Sequence, residues 1–198
     1  TLGSLGDDGD VDHDDFIARI EVINACGYGV LVTNYFEYYR LSSYLRSLVK
    51  EPIGLVLGLN NLADIFKEEY YCALDGGILE AFGILFKENL RIYAYPIEQE
   101  TFDAYSQQMG RGDNVEAVAN EDGLITIDNL VVAENLRNLY KYVRENGFLE
   151  TIEHCDRDNM KLFSRDVFQK VCSRETGWQE PLPQPVCEMI ESKGLWTC

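Results

Sequence analysis

Three short apolar runs between Gly29 and Pro96 decide the predicted fold. Residues 30–33 read VLVT, residues 53–57 read IGLVL and residues 90–95 read LRIYAY, and helical patterns separate them. Continuous runs of β-branched and aliphatic residues are typical of strands that are covered on both faces of a parallel sheet. We therefore expect three parallel strands beneath helices, since crossovers that contain a helix join parallel strands.

Capping residues place helices between these strands. Asn34 is expected to open a helix over about 34–49, and Asn60 or Asn61 to cap a helix that ends near residue 67. A third helix covers about 77–88. The fold class that follows is α/β, with a small parallel, Rossmann-like sheet of three to four strands flanked by helices and with an α-helical C-terminal extension.

The pattern beyond Pro96 is less regular. The remaining predicted elements are a helix over 98–109, a short strand over 124–127, a helix over 132–144, and helices over 165–172 and 186–192. The predicted organisation is a flexible acidic N-terminus (1–12), an α/β domain (13–150) and a helical or irregular C-terminal extension packed on it (151–198).

Composition limits the partners. The chain has 198 residues, 46% of them hydrophobic, and a net charge of −17. We expect a globular protein that binds neither nucleic acid nor an anionic membrane surface, because both need basic patches. The acidity indicates a soluble protein in a crowded or salty compartment, and a basic partner protein is the alternative. No apolar run reaches the length of about 18 residues that a transmembrane helix needs.

The six cysteines are far apart, without the spacing typical of zinc or redox sites. We therefore predict no metal site, no cofactor, and thiols in a reducing compartment, either the cytoplasm or an organelle stroma or matrix. A disulfide between two of the last three cysteines is the alternative. No pattern indicates a catalytic residue.

A ligand site is predicted at the carboxyl ends of the strands, where open parallel sheets bind ligands. Gly76 and Gly77 precede a helix, so their amides are placed to hold a phosphate or carboxylate, or else they form a packing turn. The asparagines are ligands or helix caps, and the arginines meet an anion or solvent. The candidate ligand-binding residues are Asn34, Arg40, Asn60, Gly76, Gly77 and Arg137.

Aromatic residues are dense around the second and third helices. Most of them are expected in the core, and the remainder on a surface for a protein partner, where tyrosine is enriched. The group comprises Tyr35, Phe36, Tyr38, Tyr39, Tyr44, Tyr70 and Tyr71.

Several segments of residues 28–198 together carry a resemblance to one protein family. They include Val32-Thr33-Asn34-Tyr35, Glu51-Pro52-Ile53-Gly54-Leu55, Gly76-Gly77-Ile78-Leu79-Glu80-Ala81-Phe82-Gly83, Asn135-Leu136-Arg137-Asn138-Leu139-Tyr140 and Phe163-Ser164-Arg165-Asp166-Val167. With these segments, residues 28–198 resemble the C-terminal part of a family of larger bacterial and algal proteins, which is labelled nicotinamide-mononucleotide-adenylyltransferase-like, or TonB-box receptor.

The resemblance implies adenylyl transfer, which on that fold uses a paired-histidine motif to bind phosphates. The only histidines here, His13 and His154, are unpaired and far apart. The function predicted first is therefore a non-catalytic accessory or scaffolding subunit of a larger assembly, bound through an acidic, tyrosine-rich surface. The alternative is an adenylyltransferase-like enzyme or sensor that binds a nucleotide or another phosphorylated metabolite at the carboxyl ends of the strands.

Overall fold

The structure, a computed structural model, describes residues 12–108 and 115–196. Its contacts divide the chain into two compact units. Residues 34–161 form one, here called the sheet unit. Residues up to 33 group with those from 162 onward in the other, the helical unit. The first helix thus groups with the C-terminal helices, whereas the sequence grouped it with the sheet. The predicted flexible N-terminus lies, up to residue 11, outside the described residues.

The sheet unit is built on a parallel sheet of three strands in the order β1–β2–β7. The strands are β1 (Ile53–Gly58), β2 (Leu90–Tyr95) and β7 (Leu149–Thr151). The central Ile92 is in register with Leu55 on one side and with Leu149 on the other. The predicted α/β class with a small parallel sheet flanked by helices is confirmed, as are the strands over 53–57 and 90–95.

The strand predicted over 29–33 is wrong. Residues 28–36 have no regular secondary structure, and Leu31 and Val32 are 55% and 57% exposed. The third strand is instead β7, which follows Gly147 in the left-handed conformation. Intrinsic preference for β structure is weak compared with pairing, and the ladders of the described residues do not include 29–33.

Among the residues that the structure describes, the sheet is covered on one face only, which differs from the cover expected on both faces. Side chains on the covered face come from Ile53, Leu55, Leu57, Leu90, Ile92, Ala94 and Leu149, and most of them are buried. The opposite positions of the same strands are mainly exposed, with Val56 at 63% and Tyr95 at 47%. The sequence runs look continuous because most of the exposed positions hold glycine, valine or tyrosine, with Arg91 as the charged exception in β2.

The covered face belongs to one hydrophobic cluster with the helices of the sheet unit. The helices are α2 (Tyr38–Leu48), α3 (Leu59–Ile65), α4 (Gly77–Leu85), α5 (Gln99–Gln108) and α6 (Arg137–Glu145). Phe66 lies at the centre of the cluster, with ring centroids 5.0 Å from Phe82 and 5.1 Å from Tyr140. These edge-to-face contacts join the end of α3 to α4 and α6 within the helical layer.

Two predicted caps are wrong. Helix α2 begins at Tyr38 after Glu37, so Asn34 lies in the extended segment before it. Helix α3 begins at Leu59 after Gly58, which places Asn60 inside the helix. In both cases the chain reaches helical geometry at a different residue from the one that has the capping side chain.

Helix α2 buries a charged residue. Arg46 is only 8% exposed and donates from Nη1 to the carbonyl of Glu51 at 2.7 Å, while Leu48 of the same helix is exposed. The guanidinium therefore holds α2 against the segment that leads into β1.

The rest of the sheet unit consists of small antiparallel pairs and single turns. Strand β3 pairs with β5, and β4 pairs with β6. Their bounds are β3 (Ile97–Glu98), β4 (Val115–Ala117), β5 (Leu124–Ile125) and β6 (Leu130–Val132), and 3₁₀ turns cover Glu68–Tyr71, Glu134–Leu136 and Asn159–Lys161. The predicted helix over 98–109 is confirmed up to residue 108, while β6 occupies the start of the helix predicted over 132–144.

The helical unit has a separate small core. Its helices are α1 (His13–Ala25), α7 (Ser164–Ser173) and α8 (Gln184–Lys193). Asp12 caps α1, since its side chain accepts from the amides of Asp14 and Asp15. The buried residues are Val171, Trp178, Val186 and Ile190. The indole of Trp196 donates to Asp15 at 2.7 Å and so anchors the C-terminal segment to α1.

Candidate functional site

The glycine pair before α4 does not present a free anion cradle. The amide of Gly76 already donates to Oε2 of Glu80 at 2.9 Å, so the helix carries its own carboxylate at the position predicted for a phosphate. Gly77 has a φ of 56°, a conformation that glycine adopts without strain. These contacts favour the packing-turn interpretation of the pair.

An open groove of about 520 Å³ adjoins these glycines. Its walls include Gly76, Gly77 and Asn135, and the Asn135 amide donates to Glu68 at 2.7 Å. Asp75 also lines the groove. Because the charged residues of its lining are the carboxylates Glu68 and Asp75, the groove repels an anion.

The structure brings few of the other predicted site residues together. Arg40 and Arg137 are exposed on α2 and at the start of α6. Arg40 lies 3.6 Å from Glu37 and donates to the hydroxyl of Tyr39 at 3.2 Å. Asn34 is exposed in the segment before α2. None of these three lines the groove beside Gly76 and Gly77.

Asn60 does lie near the carboxyl end of β1, as predicted. Its Oδ1 atom is buried and has no hydrogen-bond partner in the described residues. Oγ1 of Thr151, at the carboxyl end of β7, is likewise buried and has no hydrogen-bond partner among the described residues. Sequence reasoning missed Thr151, because β7 was not expected.

The uncovered face of the parallel sheet is the second candidate site, here called the open face. Its residues are Gly54, Val56, Gly58, Arg91, Tyr93, Tyr95 and Glu150. Arg91 on β2 and Glu150 on β7 form an ion pair at 2.7 Å. The open face therefore combines an apolar and aromatic part with one neutralised pair of charges.

Glycines and tyrosines complement each other on the open face. A Cβ atom at Gly54 would lie 3.1 Å from the ring of Tyr93, and one at Gly58 would lie 2.8 Å from the hydroxyl of Tyr95. The two rings therefore pack against the glycines of the neighbouring strand, an arrangement that protects glycine in a sheet.

A pocket of about 210 Å³ lies between α2, α3 and the 3₁₀ turn at Glu68–Tyr71. It is here called the aromatic pocket, and its lining residues are Phe36, Glu37, Tyr38, Asn61, Asp64, Ile65, Tyr70 and Tyr71. Four members of the aromatic group identified in the sequence thus meet at one cavity. Burial, and then the charge of Asp64, raise the pKa of Tyr38 above its usual value.

Two buried tyrosines use their hydroxyl groups to satisfy backbone carbonyls. Tyr71 donates to Ile65 at 2.6 Å, and Tyr140 donates to Ile127 at 2.5 Å. Burial raises the pKa of both phenols well above the ordinary value. Both groups hold their protons firmly, which suits a structural role.

Residues 12–108 and 115–196 contain no group of three or more His, Cys, Asp or Glu residues placed to hold a metal ion. None of the helices there is long and apolar enough to cross a membrane.

Comparisons with protein-family models, curated proteins and solved structures found no match to the chain. The resemblance to the nicotinamide-mononucleotide-adenylyltransferase-like family therefore stays a prediction.

Proposed function

We propose that the chain is a non-catalytic accessory or scaffolding subunit of a larger protein assembly, and that the open face is its docking surface. The observation that carries this proposal is the bare face of a parallel sheet. All-parallel sheets are almost always covered on both faces. Here Val56 and Tyr95 are exposed on one face while Ile92 and Leu149 are buried on the other.

The dimensions of the open face favour one helix as the covering element. A strand of six residues is about 20 Å long, and three strands span about 10 Å between the outer two. A helix has a diameter of about 10 Å and reaches 20 Å in about four turns. Helices are also what normally covers a parallel sheet. The occupant that we assign is therefore an amphipathic helix of a protein partner.

Charge indicates the chemistry around that helix. The chain carries a net charge of −17, while the open face itself is close to neutral because Arg91 is paired with Glu150. A partner helix with an apolar stripe and basic flanks would match both features. The partner would then associate faster at low ionic strength, since salt screens attraction between separated charges.

The test replaces one exposed valine on the open face and one elsewhere. Val56→Glu puts a charge at the centre of the open face, and Val118→Glu is the matched control, since Val118 is 76% exposed elsewhere in the sheet unit. We expect the partner isolated with the wild-type chain to be retained by Val118→Glu and lost by Val56→Glu. Equal retention by both variants would contradict docking at the open face.

A crosslinking experiment locates the surface directly. A photoreactive amino acid at position 56 should crosslink to the partner, and the crosslinked peptide should have a helical apolar pattern with flanking lysine or arginine. The same group at position 118 should give no such product. Crosslinking from position 118 alone would place the docking surface elsewhere.

The proposal includes a soluble protein in a reducing compartment, either the cytoplasm or an organelle stroma or matrix. Cys26, Cys72 and Cys155 support it, because each is a thiol without a disulfide partner. Persistent disulfides are rare in reducing compartments.

The buried polar atoms at the carboxyl edge favour one alternative function, a nucleotide- or phosphorylated-metabolite-binding enzyme or sensor. Buried polar groups normally have hydrogen-bond partners, and a ligand at this edge would supply them to Asn60 and Thr151. A ligand at about 100 times its dissociation constant adds about 2.7 kcal/mol to stability. The alternative therefore predicts a raised Tm with at least one nucleotide or dinucleotide, smaller in Asn60→Ala, and fails if no such ligand raises it.

A further inference from the structure

The aromatic pocket has the size of a head group rather than of a whole metabolite. Its volume is about 210 Å³, while pockets for drug-sized ligands hold about 300–1,000 Å³. The pocket lies wholly within the sheet unit. A small, compact group is therefore the ligand that its dimensions allow.

The lining combines aromatic rings with a carboxylate. The rings of Phe36 and Tyr70 meet edge to face with centroids 5.9 Å apart. Tyr71 directs its hydroxyl to the carbonyl of Ile65. Asp64 and Glu37 are the two carboxylates of the lining, and Glu37 lies 3.6 Å from Arg40.

The chain itself already places a cation in this arrangement. Nζ of Lys67 lies 3.0 Å from Oδ1 of Asp64 and 6.0 Å from the centroid of the Tyr70 ring. Ring faces attract ammonium groups within about 6 Å, and groups of aromatic residues recognise quaternary ammonium ligands in this way. Lys67 thus shows which chemistry the rings and Asp64 together accept.

We propose that the aromatic pocket binds a methylated or quaternary ammonium group through the rings of Phe36, Tyr38 and Tyr70 and the carboxylate of Asp64. The ligand is identified by its chemistry, an ammonium nitrogen surrounded by methyl groups. Methyl groups make contact with the rings, and the positive charge is balanced by Asp64. This group competes with Lys67, whose Nζ atom lies 3.0 Å from Oδ1 of the same carboxylate.

Displacement of Lys67 is feasible because its own contacts are weak. The side chains of Lys67 and Asp64 are 23% and 28% exposed, and ion pairs that water reaches contribute little to stability. A bare ammonium group is also strongly hydrated, whereas a methylated one loses less hydration on leaving water. Removing the lysine should consequently strengthen binding.

The decisive comparison uses two probes of the same shape. Choline carries the quaternary nitrogen, and dimethylbutanol has carbon in its place and no charge. We expect calorimetry to detect choline binding to the full chain, and NMR spectra to show shifts in the tyrosine ring signals of the pocket. Dimethylbutanol should bind at least tenfold more weakly. Equal binding of both probes, or no binding of choline, would overturn the proposal.

Variants assign the contacts. Tyr70→Leu should weaken choline binding roughly 2- to 30-fold, the range of a cation–π contact. Asp64→Asn should weaken it about tenfold by removing the opposite charge. Lys67→Met should tighten binding several-fold, and Lys87→Met, which removes a lysine that is paired with Glu88 outside the pocket, should change nothing. Equal effects of the two lysine variants would also overturn the proposal.

Two ligand sources share this chemistry, and peptides separate them. A peptide with trimethyl-lysine that binds more tightly than choline indicates a modified protein, whereas choline binding without peptide binding indicates a free small molecule. The pocket shares no residue with the open face. If choline does not bind, the proposal of docking at the open face is therefore not contradicted. Conversely, Val56→Glu should leave choline binding unchanged.

Discussion

The covered and open faces of the parallel sheet use the same three strands but differ in what their side chains contact. Ile92 on the covered face is fully buried in the hydrophobic cluster that includes α3, α4 and α6. On the open face, Tyr93 and Tyr95 pack over glycines of the neighbouring strand and otherwise face solvent. One face therefore stabilises the fold, while the other is available for binding, although both faces are rich in apolar residues.

The largest expected effect comes from shortening a side chain on the covered face. Ile92→Ala should lower the free energy of unfolding by about 2–5 kcal/mol, because the cavity in a packed core cannot fully collapse. Val56→Ala, on the open face of the neighbouring strand, should lower it by about 0.5 kcal/mol or less. Urea unfolding measured by circular dichroism gives both values.

A similar loss for both variants would break the comparison. It would mean that the open face is covered in the free protein, for instance by a second copy of the chain. Repeating the unfolding at several protein concentrations shows whether a second copy covers the open face, since the stability of an oligomer depends on concentration.

Much of the fold could be predicted because local signals and packing agree. β1 and β2 lie almost where their apolar runs indicated, and Asp12 caps α1 as its side chain allows. The run at 30–33 has the same composition as a buried strand, but composition does not specify a pairing partner. Conversely, β7 has only three residues, too few for any periodic pattern.

The candidate site was harder to predict than the fold. The pair Gly76-Gly77 does mark the start of a helix, but the neutralising contact comes from Glu80 on the following turn. The sequence alone does not distinguish a glycine amide that is free to bind a phosphate from one that already donates to a nearby carboxylate. Four residues of the aromatic group identified in the sequence line the aromatic pocket, whereas the tyrosines of the open face, Tyr93 and Tyr95, lie outside that group.

The loss of a hydroxyl group should lower stability more at a buried tyrosine of the helical layer than at a tyrosine of the open face, which is the intermediate effect. Tyr140→Phe should cost about 1–3 kcal/mol, because the carbonyl of Ile127 loses its buried donor. Tyr95→Phe, on the open face, should cost less than about 0.5 kcal/mol. Thermal or urea unfolding at neutral pH measures the difference.

The same pair gives a test against pH. Burial raises the pKa of Tyr140 above its ordinary value of 10.0, so the folded state keeps its proton when the unfolded state has lost it. The resulting stabilisation is complete below about pH 10 and is lost as the pH rises from there toward the folded-state pKa. Each pH unit in that window costs about 1.4 kcal/mol per such tyrosine. The free energy of unfolding should decline less steeply with pH in Tyr140→Phe than in Tyr95→Phe over this range. Equal slopes would contradict the buried state of the Tyr140 hydroxyl.

The smallest expected effect concerns the charges of the open face. Arg91 and Glu150 are about half and two-fifths exposed in their ion pair, so a double-mutant cycle of Arg91→Ala and Glu150→Ala should give a coupling of about 1 kcal/mol or less that weakens with salt. A coupling well above this value, insensitive to salt, would show that water does not reach the pair. Because the pair joins β2 and β7 on the open face, such a result would mean that this part of the open face is covered. The two faces of the sheet would then not differ in exposure near Arg91 and Glu150.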